Sequence, residues 1–128
     1  VDKLMALTDP AKVFLLFDTG HAYFGGATDP VELLKKHVKR VVHVHCKDVR
    51  TPVIAQARND GWSFLNGVIN GTFTVPGDGT IDVQGLFDAL PADLPVSVEV
   101  VNFGREANTS VQDWAAECLA RSRPFVEA

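Results

Sequence analysis

The feature that most restricts the fold is a pair of strand-length apolar runs set around one short amphipathic helix. Val13 to Phe17 (VFLLF) shows no polar and apolar alternation, so it reads as a strand covered on both faces, as in a parallel sheet. Asp29-Pro30 then opens a helix, with the aspartate as N-cap and the proline in the first helical position. Val31, Leu34 and Val38 form one face. Lys35, Lys36, Lys39 and Arg40 crowd the last turns, where the helix dipole favours cations. A second strand begins at once at Val41. Strand, helix and strand are complete within about 33 residues, the size of one right-handed βαβ unit.

That second strand, Val41 to Arg50 (VVHVHCKDVR), carries polar groups where an ordinary core strand carries apolar ones. In extended backbone His43, His45 and Lys47 share one face, and Val42 and Val44 share the other. Nitrogens set against a packed interior cost roughly several kcal/mol unless they meet partners, a metal or a polar ligand. An edge strand with a wet face is the simpler alternative. Against it stands the continuation of the polar run through Asp48 and Arg50, where a strand should already have ended.

Upstream, Val1 to Thr8 reads as the end of a helix stopped at Asp9-Pro10. Downstream, residues 51 to 80 loosen into short helix and turn, with Trp62 assigned to the core. A segment this long at the end of a strand is often functional. Pro76-Gly77-Asp78-Gly79 has turn chemistry and lacks the spacing of a phosphate-binding glycine loop. Asp82 to Leu90 forms a short helix with Val83, Leu86, Phe87 and Leu90 inward. Val96 to Val101 makes a third buried strand with Glu99 among its valines. Ser110, with Asp113 three residues on, caps a closing helix whose buried face is Val111, Trp114, Cys118 and Leu119.

No repeat or linker interrupts the chain, so residues 1–128 read as a single α/β domain. A net charge of −4 without a basic stripe argues against nucleic acid and anionic membrane surfaces as partners. No apolar run approaches the ~20 residues that span a bilayer, and a cytoplasmic location is expected. Cys46 and Cys118 lie far apart and show no metal or redox spacing, so both read as free thiols. With Val1 first and Met5 the one methionine, the sequence reads as a fragment or an excised domain.

Each of the three strands delivers a polar group: Asp18 after the first, His45 near the end of the second and Glu99 inside the third. In parallel α/β folds, residues at the carboxyl ends of strands line the site. One imidazole and two carboxylates make a mixed nitrogen and oxygen set suited to Mn²⁺, Co²⁺, Zn²⁺ or Fe²⁺. Each residue also has a plainer reading. Asp18 before Thr19-Gly20 fits a turn or cap, His21 a satisfied loop histidine, and His43 an interior hydrogen-bonding group. Lys47 and Asp48 fit an ion pair, and Arg50 a solvated charge. Glu99 is the hardest to set aside, because a carboxylate between Val98 and Val100 is rarely buried unless paired or coordinated.

Read together, DTGHAYFGG (Asp18 to Gly26) and HVHCKDVR (His43 to Arg50), followed by WSFLNGV and FTVPGDGTID, resemble the inosose dehydratase family. That family lies within the xylose isomerase-like TIM barrels, beside ketose 3-epimerases, hydroxypyruvate isomerases and apurinic endonuclease relatives. The resemblance spans roughly residues 1 to 101 and implies the last three βα units of a (β/α)8 barrel, incomplete on its own. It implies a divalent metal, Mn²⁺ or Co²⁺ first and Zn²⁺ or Mg²⁺ next, held by Asp18, His45 and Glu99. It places His21, Lys47, Asp48 and Arg50 on a sugar or cyclitol substrate, with Glu99, His21 and Lys47 catalytic. The implied reaction is dehydration of 2-keto-myo-inositol through an enediolate, with isomerisation or epimerisation as the alternative. The family's first metal carboxylate, a glutamate on the preceding strand, has no counterpart in the sequence. The segment after Glu99 is closer to general sugar isomerases and epimerases. Three strands cannot close a barrel, so oligomerisation or pairing with the other part of a barrel is expected, and a non-catalytic subunit is the third reading.

Overall fold

The computed structural model describes residues 1–26, 29–98 and 109–127. Its centre is the expected βαβ unit. Strand β1 (Leu15–Asp18) is followed by helix α3 (Pro30–His37), a 3-10 turn (Val38–Arg40) and strand β2 (Val41–Cys46). Asp29 caps α3 by accepting hydrogen bonds from the Val31 and Glu32 amides, as Asp-Pro at a helix start requires. Helix α1 (Asp2–Ala6) precedes β1. Asp2 ties it to α3 through His37 Nε2 at 2.6 Å and through the Lys36 ammonium.

Helix α2 (Thr19–Phe24), between β1 and α3, is not legible as a helix in the sequence. It exists because Asp18 is its N-cap: the backbone of Asp18 is extended and its Oδ1 accepts the His21 amide at 2.8 Å. His21 is therefore a helix residue rather than a loop residue.

The parallel sheet runs β1, β2, β5, where β5 is Val96–Val98 and the order is that of neighbours. Glu99 and the rest of the expected third strand lie outside the described residues. One face of the sheet is packed by Val31 and Leu34 of α3 and by Val83 and Leu86 of helix α6 (Val83–Asp88), over Phe17, Val44 and Cys46. The other face carries Leu16 opposite His43, and Asp18, His45 and Ser97 in line across the three strands. Val42, expected to share a face with Val44, is exposed while Val44 is buried. The register of β1 on β2 jumps between Leu15, opposite Val41, and Leu16, opposite His43, so Val42 has no partner on β1 and alternation restarts there.

Beyond β2 the chain forms a small antiparallel pair, β3 (Asp48–Val49) with β4 (Phe73–Thr74), joined by helices α4 (Thr51–Asn59) and α5 (Phe64–Ile69). Trp62 is half-buried ahead of α5. Helix α7 (Val111–Val126) closes the described chain with Ser110 as cap, its Oγ accepting the Asp113 amide. Its buried stripe is Trp114, Cys118 and Ser122, spaced four residues apart, and Val75 packs against it. Val111 and Leu119, expected to be buried, are exposed: Leu119 falls to one side of that stripe, and Val111 is the first residue of the helix.

Candidate active site

The polar face of the sheet converges at its carboxyl edge on the Asp18 side chain, which is mostly buried. Its Oδ1 is taken up by the His21 amide, leaving Oδ2 to meet three side chains. Lys47 Nζ lies 3.0 Å from that oxygen, His21 Nε2 3.8 Å and His45 Nδ1 3.9 Å. The register explains the His45 approach, because Asp18 and His45 are Cα partners on adjacent parallel strands. His43, one step lower on the same face, meets Ser97 Oγ at 3.0 Å and packs edge-on against His45 with ring centroids 5.3 Å apart.

Lys47 is the best-held member. The Thr19 hydroxyl, fully buried at the start of α2, donates to the Lys47 carbonyl and accepts the Lys47 amide at 3.0 Å. Gly20 supplies the clearance: a Cβ there would stand 2.5 Å from Lys47 Cγ and 2.9 Å from the Phe73 ring. The Lys47 ammonium then lies 5.3 Å from the centroid of Phe73. That ring also packs against His21 at 5.1 Å, and Phe64 stacks on the same imidazole at 5.7 Å. Thr19, Gly20, Phe64 and Phe73 do not stand out in the sequence reading. A short aromatic and β-branched run, Phe73-Thr74-Val75, between Gly71 and Pro76 is the signal that marks β4.

Asp48 and Arg50 stand apart from this cluster. The Asp48 carboxylate is fully buried and accepts backbone N–H groups from Val49, Gly77, Gly79 and Ile81, at 2.8 to 3.1 Å. It anchors the Pro76-Gly77-Asp78-Gly79 turn to the start of β3. Arg50 donates to the Gly71 carbonyl at 3.0 Å and pairs with Asp78, whose carboxylate also accepts the Thr74 hydroxyl. Burial pulls the Asp78 carboxyl up, but the Thr74 hydroxyl and the Arg50 and Arg121 guanidiniums outweigh it and hold the group below the usual carboxylate range. Both cysteines are free and buried. Burial, with the Asp48 and Asp18 charges adding to it, pushes the Cys46 thiol up to about 12, so it is a packing group rather than a nucleophile.

Residues 1–121 match the family described as xylose isomerase-like TIM barrel. The chain belongs to this family. An inosose dehydratase of Klebsiella pneumoniae is 58% identical over 92 residues, covering 70% of this chain and 30% of that protein. Inosose dehydratases of Clostridium botulinum (52% over 90 residues) and Geobacillus thermodenitrificans (52% over 92) show the same partial overlap, again at 30% of their length. The aligned stretch thus spans about a third of the curated relatives it matches. In the xylose isomerase-like barrel the three parallel strands are neighbouring staves, and the Asp18 cluster sits at their carboxyl ends, where barrel sites are built.

Asp18 Oδ2 and His45 Nδ1 are an oxygen and nitrogen pair of the type a divalent cation takes, and the Lys47 ammonium lies on that same oxygen. No group of three or more His, Cys, Asp or Glu side chains suited to a metal occurs among the described residues, and Glu99 lies outside them. Among the described residues no helix is long and apolar enough to cross a membrane.

Proposed function

We propose that this chain supplies one wall of an inosose dehydratase site, acting in a completed barrel on 2-keto-myo-inositol or a close cyclic polyhydroxy ketone in the cytoplasm. The observation that carries the reading is the Asp18 carboxylate facing His45, Lys47 and His21 within 4 Å, in a chain whose relatives bear that name. Asp18, His45 and Glu99 would hold a divalent cation, Mn²⁺ or Co²⁺ in the first instance. When bound, the cation stabilises the negative charge that develops on the ketone oxygen.

The chain's own residues supply the proton transfers. A carboxylate, Glu99 or the family's glutamate on the preceding strand, takes the proton from the carbon beside the ketone, and that C–H electron pair moves toward the carbonyl. His21 or Lys47 gives a proton to the β-hydroxyl, whose C–O bond breaks as water leaves. The Asp18 carboxylate, paired with Lys47 and adjacent to His21, lies on the same side of the site as both donors.

In the complete barrel, His45→Ala should abolish both Mn²⁺ binding, read by calorimetry, and turnover. A metal-free variant with full activity would overturn the proposal. The family description also names an isomerase, which makes epimerisation through the same deprotonated ketone the second reading. Mass spectrometry of the product separates them, since dehydration removes water and epimerisation conserves mass.

A further inference from the structure

We propose that Phe73 is a positioning residue of this site, one buried ring that holds the Lys47 ammonium and the His21 imidazole together and so fixes both against Asp18. The inference rests on the reading of His21 and Lys47 as groups that face substrate, and it adds a residue that touches neither substrate nor metal.

Phe73 is 4% exposed and sits on β4, opposite Val49 of β3, two residues after Lys47. Its face lies 5.3 Å from Lys47 Nζ, while the same ammonium is 3.0 Å from Asp18 Oδ2. A cation between a carboxylate and an aromatic face is restrained from two directions, where an ion pair alone leaves a long, flexible stem free to turn. His21 has the opposite problem. Its side chain is 49% exposed, and its nitrogen is 3.8 Å from Asp18, beyond hydrogen-bond distance. Ring packing against Phe73 at 5.1 Å and Phe64 at 5.7 Å is what orients it.

The cluster is braced. Phe24 meets Phe64 edge-on at 5.4 Å and Phe73 at 5.9 Å, and Phe64 meets Phe73 at 5.9 Å. Gly20 leaves the space in which the Lys47 stem and the Phe73 ring come together. The two proposed proton donors, on α2 and at the end of β2, thus share a support on a third element.

The test is Phe73→Leu beside Phe73→Tyr, which keeps the aromatic face. In the chain, the carbon-bound protons next to the Lys47 nitrogen should lose their upfield ring-current shift in the leucine variant and keep it in the tyrosine variant. The His21 ring protons should follow the same pattern. In the complete barrel with Mn²⁺ and 2-keto-myo-inositol, Phe73→Leu should lower kcat about tenfold or more, with KM within about twofold, and Phe73→Tyr should restore most of it. Unchanged shifts in Phe73→Leu would overturn the inference, and so would altered shifts with wild-type kcat. If the wild-type barrel fails to dehydrate the ketone, the dehydratase reading falls while the shifts still decide the role of Phe73. If Phe73→Leu does not fold, Gly20→Ala displaces the same contact from the other side and is read in the same way.

Discussion

Asp48 shows how one residue type in one motif divides between chemistry and construction. Its two carboxylate oxygens satisfy four backbone N–H groups inside the protein, three of them 29 to 33 residues downstream. Gly79 fits only because it lacks a side chain, since a Cβ there would lie 2.3 Å from Asp48 Oδ1, and Gly77 has a φ of +86°. Asp48→Ala strands those donors away from water and should lower stability by about 3 kcal/mol or more, read as a shift in the urea midpoint. Asp48→Asn keeps one acceptor oxygen and brings an N–H₂ against two amide donors, so it should recover only part of the loss. A midpoint within error of wild type for the alanine variant would show that the turn holds without its anchor. In the sequence Asp48 reads as a pocket residue because it continues the run His45, Lys47, Asp48. Neighbouring residues reveal a polar run, but not which backbone donors a carboxylate will meet thirty residues later.

At the scale of elements, the βαβ unit is legible because its signals are local: an unalternating apolar run, Asp-Pro at the helix start and cations at the helix end. Helix α2 and the β3–β4 pair are not, because α2 has six residues and the pair only two residues a side. Elements that short are stabilised by tertiary partners such as the Thr19 clamp on Lys47, rather than by propensity. The same holds for the turn after β4, whose Asp78 is fixed by Arg50 and Thr74. Its folded-state pKa lies below the ordinary carboxylate value of about 4, so unfolded chains bind the proton more readily. The stability that this contributes is complete at neutral pH and is lost as pH falls below about 4, through the depressed folded value. Asp78→Asn should therefore be less stable than wild type at pH 7, with the gap closing as pH falls toward 3. Urea titrations of both proteins at several pH values check this, and a gap that stays constant would remove Asp78 as its source.

At the scale of the molecule, the sheet is finished on one face only. Val31, Leu34, Val83 and Leu86 cover the packed side, while Leu16 and Phe14 stay about half exposed and the polar face carries the Asp18 cluster. Among the described residues β1 and β5 each pair on one side alone, an arrangement that invites further strands. From the family and the 30% coverage of the inosose dehydratase relatives, we propose that further βα units of the same barrel fit there. The sequence raises the same expectation, since three strands are too few to close a barrel. The occupant proposed for the open face is a polypeptide carrying the remaining barrel units, and its arrival should be measurable. Sedimentation of the chain alone should show association that rises with concentration. Adding a separately produced polypeptide with the first βα units of a homologous barrel should replace it with a one-to-one complex. Amide exchange in β1 and β5 should slow in that complex, because strand-edge N–H groups gain partners, while exchange in α3 should change little. A chain that remains monomeric up to millimolar concentration, with β1 and β5 already protected, would mean that the sheet needs no further staves.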